Sequence, residues 1–233
     1  MATCSACLPC TALLIRADRD DAEYLELATR YASSIRLPGP AGEAVLIAPR
    51  WVVTAATPAE LLRELKPTPA IVIAGRDHEI QANHIEGDVA LIQLSSPVRG
   101  VTPMAIYRGA EEAGKGLAIV AHGPTGKIGG ATRADGKRRA GLNTVSAVQE
   151  KTFEVSIRAG DDASDLQGAL APGEVGAGAY IVDAEDRLFL AGIAQSADGK
   201  RELYSRLSAR LSWIESVMLD VAKREAEKLL ESN

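Results

Sequence analysis

The sequence predicts an all-β fold closed by a long C-terminal α-helix, and three observations carry that expectation. Eight short runs rich in Val, Ile, Leu and Ala recur between Val45 and Ala194, separated by Gly, Pro and Asp. That rhythm is the mark of a barrel or sandwich. The chain has 233 residues, of which 46% are hydrophobic and only 4% aromatic, so one domain can bury a sizeable core built from aliphatic side chains. From Leu207 to about Leu230 the period changes: Leu211, Ile214, Met218, Val221 and Leu229 recur at three- and four-residue steps, which places them on one face of a helix.

In chain order, residues 1–14 read as a tail that holds all three cysteines, Cys4, Cys7 and Cys10. Tyr24, Leu25, Leu27, Ala28 and Tyr31 predict a helix over Asp20–Ser33, capped by Asp20 or Asp21 and ended by Leu37–Pro40. Strands are predicted at Val45–Ile47, Trp51–Ala55, Ala70–Ala74, Val89–Leu94, Leu117–Val120, Phe153–Ile157, Gly178–Val182 and Phe189–Ala194, with a short helix over Ala59–Lys66. Lys127–Leu142 carries Lys127, Arg133, Lys137, Arg138 and Arg139 among glycines. It reads as an exposed loop, either simply solvated or a basic patch for an acidic partner. In the terminal helix, the first half is expected to dock on the β body. The second half, Val221–Leu230, is expected either to pack on another chain or to extend into solvent, held by charge pairs along the helix.

The net charge of −5, from 26 basic and 31 acidic residues, disfavours nucleic acid and anionic membranes as partners. There is no run of eighteen apolar residues to span a membrane. The run Thr11–Ile15 is short for a secretory core and Arg16 follows at once, so no signal peptide is read. The segment after the tail has no cysteine, which fits a reducing compartment, and a cytoplasmic location is expected.

Three stretches carry chemistry-bearing positions. Gly42–Thr57 reads GEAVLIAPRWVVTAAT, Asp88–Val98 reads DVALIQLSSPV, and Gly173–Ala179 reads GEVGAGA. In this order they resemble the trypsin-like serine protease family, whose patterns are G-T-L-I-x-P-R-W-V-L-T-A-A-H, D-I-A-L-L-x-L-x-x-P-V and G-D-S-G-G-P-A. Further pieces extend the resemblance from about Ile15 to Met218: Gly100–Tyr107, Ile119–Gly126, Leu166–Gly173, Leu188–Ile193, Tyr204–Ser208 and Trp213–Ile214. The resemblance implies two six-stranded antiparallel β-barrels, about residues 15–110 and 111–206, followed by the helix at 207–231.

It also implies a lost activity. The family's general base falls on Thr57 and its nucleophile on Val175, while the aspartate survives as Asp88. Acyl transfer by this route needs a hydroxyl nucleophile and an imidazole to take its proton. Threonine does not titrate near neutrality and valine has no nucleophilic atom. The expectation is a pseudoprotease, with Thr57, Asp88 and Val175 as vestigial positions. Asp88 is expected to accept a hydrogen bond from the Thr57 hydroxyl.

The other site positions follow from the same resemblance. The backbone N–H groups of Gly173 and Val175 are the remnant of an oxyanion hole. The vestigial pocket is formed by Ala169, an uncharged residue near its floor, and Glu174, the acid before the nucleophile position. His78, His84 and His122 do not fall on the base position, and each is expected to be an ordinary surface or core histidine.

The tail offers separate chemistry. Cys4, Cys7 and Cys10 have the spacing of part of a zinc or iron–sulfur site, three thiolates short of a fourth ligand. Metal binding, covalent or redox modification, and a tail of plain reduced thiols all remain open, and no cofactor is expected otherwise. The function classes are therefore a non-catalytic subunit that binds a protein or peptide, a scaffold pairing through the terminal helix, a carrier of the cysteine tail, and a residual hydrolase.

Overall fold

The computed structural model describes residues 13–171 and 174–231. Cys4, Cys7, Cys10 and Gly173 lie outside the described residues. Strand makes up 43% and helix 20%, so the fold is mostly β with more helix than a strict all-β class. The elements are β1 (Leu14–Ile15), α1 (Asp21–Ala28), β2 (Ser34–Arg36), β3 (Glu43–Ala48), β4 (Trp51–Ala55), α2 (Ala56–Glu64), β5 (Ile71–Ile73), β6 (Arg76–His78), β7 (Ile80–Glu86), β8 (Val89–Leu94), β9 (Gly116–Lys127), β10 (Thr132–Val148), β11 (Thr152–Ser156), β12 (Gly168–Ala169), β13 (Gly178–Val182), β14 (Leu188–Ala197), β15 (Arg201–Arg206) and α3 (Leu211–Glu231).

The second half closes on itself. Strands β10, β11, β15, β14, β13 and β9 pair in that order, and β9 returns to β10, giving a ring of six antiparallel strands. Alternation along β9 explains the ring's interior: Leu117, Ile119 and Ala121 join one buried cluster with Phe153, Val155 and Tyr204. Phe153 and Tyr204 face each other across β11 and β15 and their rings stack at 5.0 Å. Ala118 and Val120 point the other way, into a cluster shared with Val53, Val89 and Leu91 of the first half and with Leu207, Ile214 and Val221. That shared cluster binds the two halves and the terminal helix into one body.

The first half is an open sheet, β2-β3-β4-β8-β7, beside a separate β5–β6 ribbon. Among the described residues it does not close by hydrogen bonding. The ribbon strands are three residues long and turn tightly through Ala74 and Gly75, both at positive φ, so they pair with each other.

Several boundaries move. Leu13 is fully buried and Leu14 lies in β1, so the folded body begins before the end of the expected tail. Helix α1 takes Asp20 as its N-cap in a capping box with Glu23 and stops at Ala28. The expected loop Lys127–Leu142 is instead mostly hairpin, with Arg138 opposite His122 and Arg139 opposite Ala121. Its charge misled because Arg139 is wholly buried, where it holds Asp21 at 2.6 Å and Asp135 at 2.6 Å.

The second half of α3 stays on its own chain as far as Glu225. Val221 is buried, and Glu225 accepts hydrogen bonds from Arg50 at 2.8 Å and Gln93 at 3.0 Å. Among the described residues no helix is long and apolar enough to cross a membrane.

Candidate functional site

Contacts of their neighbours bring the surroundings of Thr57, Asp88 and Val175 together between the two halves. Strand β4 runs directly into α2, and Thr57 sits exposed in the helix's first turn. Asp88 follows Gly87 in the β7–β8 turn; φ of +59° at Gly87 is a left-handed conformation that glycine adopts without cost. The Asp88 carbonyl accepts from the Ala56 N–H at 3.0 Å, which fixes the turn against the start of α2. Val175 is half-buried, and its carbonyl accepts from the Glu43 N–H at 3.0 Å. Gly42 lies between the Val175 carbonyl and the Pro58 side chain, so the Val175 loop also abuts the start of α2. Gly176 has φ of +92°, and a Cβ there would overlap the Glu43 carbonyl and the Thr54 hydroxyl.

The expected Thr57–Asp88 hydrogen bond is absent. Asp88 takes its side-chain hydrogen bonds from the Ser205 hydroxyl and the Arg210 guanidinium. Arg210 comes from the turn just before α3 and also meets Glu86 at 3.4 Å. The physical reason is charge: a guanidinium compensates a half-buried carboxylate better than a hydroxyl does, and Thr57 faces solvent.

The backbone N–H and ring Nδ1 of His122 both bind the carboxylate of Glu43, at 3.0 and 2.8 Å. His84 packs on Trp51 with ring centroids 5.7 Å apart, and His78 lies 3.4 Å from the Ser96 hydroxyl. Glu43 is itself buried, and burial raises its carboxyl above the ordinary value against the pull of His122.

Beside Val175 lies a cavity of about 250 Å³, bounded by Leu170, Ala171 and Glu174 on one side and by Gln195, Ser196 and Ala197 of β14 on the other. Ala169 does not line it: that residue pairs with Leu14 in β12 and is buried. Of the two expected pocket residues, Glu174 borders the cavity and Ala169 does not. The Glu174 Oε2 accepts from the Ala171 N–H at 2.8 Å, while Oε1 is buried without a hydrogen-bond partner. Burial holds the Glu174 carboxyl well above its ordinary range, and the nearby charges of Glu43 and Glu202 act in the same direction. Glu202 accepts from the Leu170 N–H at 2.5 Å and the Tyr204 hydroxyl at 2.6 Å, and burial pushes it up to about 7.

The wall formed by β14 has an open edge. At Ala194 the strand still bonds the far side, through Gly176 N–H to its carbonyl at 2.8 Å and its own N–H to Ala177 at 2.9 Å. Beyond it, Ser196 and Ala197 pair with Leu203 and Glu202 of β15, and among the described residues nothing pairs with their other edge.

Glu43, Glu202, Ser205 and Arg210 were not singled out from the sequence. A lone acid inside the apolar run Gly42–Ala48 was a usable signal for Glu43, since a charge there demands a partner. Of the two N–H groups expected for an oxyanion hole, only that of Val175 lies among the described residues. Among the described residues no cluster of three or more His, Cys, Asp or Glu side chains is arranged to hold a metal. Comparison with protein-family models and with characterised proteins gives no sequence match.

Proposed function

We propose that this chain is a non-catalytic homologue of the trypsin-like serine proteases that captures an extended peptide segment without cleaving it. The observation that carries the reading is the unpaired edge of Ser196–Ala197 running beside a cavity of about 250 Å³. An added strand gains main-chain hydrogen bonds along such an edge, and alternate side chains find their pockets beside it. The cavity has room for one modest side chain of that peptide.

The lack of turnover follows from the residues around it. Val175 supplies no nucleophile, Thr57 no base, and the Nδ1 of His122 is held by Glu43. The trypsin-like type is supported by the contacts of Ala56 with Asp88 and of Glu43 with Val175, which bring the surroundings of Thr57, Asp88 and Val175 together, and by a closed six-stranded barrel behind Val175. On this reading the open first-half sheet corresponds to the other barrel.

The test is a display selection for peptides that bind the intact chain, followed by mass analysis of the bound peptides. Intact peptides are expected, with affinity reduced about tenfold or more by Ala197→Trp, which fills the cavity mouth while leaving the melting temperature close to wild type. Cleaved products, or an Ala197→Trp variant that binds as wild type, would overturn the proposal.

A further inference from the structure

We infer that the cleft between α3 and β7 is a binding site for a small tetrahedral oxyanion, with phosphate as its simplest member. This cleft lies on the first-half sheet, away from the peptide cavity, and the inference does not depend on the peptide reading. Its volume is about 250 Å³, and its polar lining comprises Gln81, His84, Gln93, Arg224, Glu225 and Lys228. Pockets for drug-sized ligands begin near 300 Å³, so the occupant is a small ion or the terminal group of a larger molecule.

The hydrogen-bond inventory assigns the sign of the ligand. Both Glu225 oxygens are spent: Oε2 accepts from Arg50 at 2.8 Å, and Oε1 accepts from Arg50 and from Gln93, each at 3.0 Å. The Gln81 oxygen is spent on Arg50 at 2.6 Å. What remains is donors. Arg224 commits only its Nε, to the Asp220 carbonyl at 3.2 Å, and keeps both terminal nitrogens free. Lys228 feels the charge of Glu225 but makes no hydrogen bond or salt bridge among the described residues. The His84 Nε2 is buried with no partner. A cleft whose acceptors are used and whose donors are free suits an anion.

Electrostatics points the same way. Arg224 and Lys228 lie four residues apart on one helix and both border the cleft, where Glu225 offsets part of the Lys228 charge. Burial and the Arg224 charge hold the His84 imidazole below its ordinary range, so it enters the site as a neutral ring able to donate. The donors come from facing elements, two from α3 and one from β7, which four oxygens of a tetrahedral ion bridge better than the two of a carboxylate.

The chain has three histidines, so imidazole NMR reads the site directly. Titration of the intact protein with inorganic phosphate, at constant ionic strength in chloride, is expected to shift His84 saturably, raise its pKa and leave His78 and His122 in place. Sulfate is expected to act alike and acetate more weakly. The Arg224→Gln/Lys228→Gln double variant changes exposed positions, so its circular dichroism should match wild type while its phosphate affinity drops about tenfold or more. A His84 signal that phosphate does not move, equal shifts at all three histidines, acetate binding as well as phosphate, or a double variant that binds like wild type would each overturn the assignment.

Discussion

Asp88 and Glu174 are reached from the same residue of β14, Gln195, yet their surroundings have diverged. Gln195 donates to the Asp88 carbonyl at 3.1 Å, and it lines the cavity that Glu174 borders. Both side-chain oxygens of Asp88 are engaged, one by Ser205 and one by Arg210. Glu174 has one oxygen held by a backbone N–H and one with nothing. The difference teaches that the two sides of one cleft need not share a role. Around Asp88 the carboxylate has become a bolt joining the β7–β8 turn to the base of α3. Around Glu174 one carboxyl oxygen is buried beside the cavity with no hydrogen-bond partner in the protein, and burial favours the neutral form of the group.

The largest expected effect breaks the bolt. Arg210→Ala leaves Asp88 with Ser205 alone and removes a side chain only 9% exposed. Because Asp88 is 31% exposed, water recovers part of the loss, and the expected cost is about 2–3 kcal/mol in urea denaturation. Ser205→Ala should cost about 1 kcal/mol, since a neutral donor is lost and the guanidinium stays. An Arg210→Ala loss below that of Ser205→Ala would mean that Asp88 does not depend on the charge, and the contrast with Glu174 would fail.

The acid side is sharpened by pH. Glu202 moves from its ordinary 4.5 to about 7 in the folded protein, so the native state keeps a proton that the unfolded chain releases. Stability therefore falls as pH rises between those two values, by about 3 kcal/mol at most from this residue. Glu174 and Glu43 are raised too and add to the same slope. Thermal unfolding measured from pH 4.5 to 8 is expected to show this decline, and Glu202→Gln should flatten part of it. A variant with an unchanged slope would place the proton elsewhere.

How much of this was legible in the sequence depended on whether the controlling contact was local. The predicted strands Trp51–Ala55, Val89–Leu94 and Gly178–Val182 coincide with β4, β8 and β13, because each is a short, mostly buried apolar run with a sharp boundary, turn residues around β8 and β13 and the start of α2 after β4. The N-cap Asp20 was legible for the same reason. Strand β7 was not: Ile80–Glu86 is an edge strand with no fully buried residue, so it lacks the apolar signature. Strand β10 was hidden by its charges: Arg139 is buried against Asp21, 118 residues away along the chain. The donors to Asp88 stand 117 and 122 residues away, at Ser205 and Arg210. Sequence reasoning singled out Asp88 as a carboxylate in need of a donor, but it assigned the Thr57 hydroxyl to it.

That assignment gives the smallest and most discriminating test. If Thr57 supplied the hydrogen bond, Thr57→Val would strand a carboxylate oxygen and cost about 1–3 kcal/mol. The structure leaves Thr57 exposed at the start of α2, with both Asp88 oxygens served by other donors. Thr57→Val is then a surface change, expected to move stability by less than about 0.5 kcal/mol. Combining it with Ser205→Ala closes the argument. A cost equal to that of Ser205→Ala alone means that Thr57 does not serve Asp88 even when a donor is missing. A larger cost means that the hydroxyl steps in when Ser205 is gone, and the Asp88 bolt would then be less fully committed than its two present donors imply.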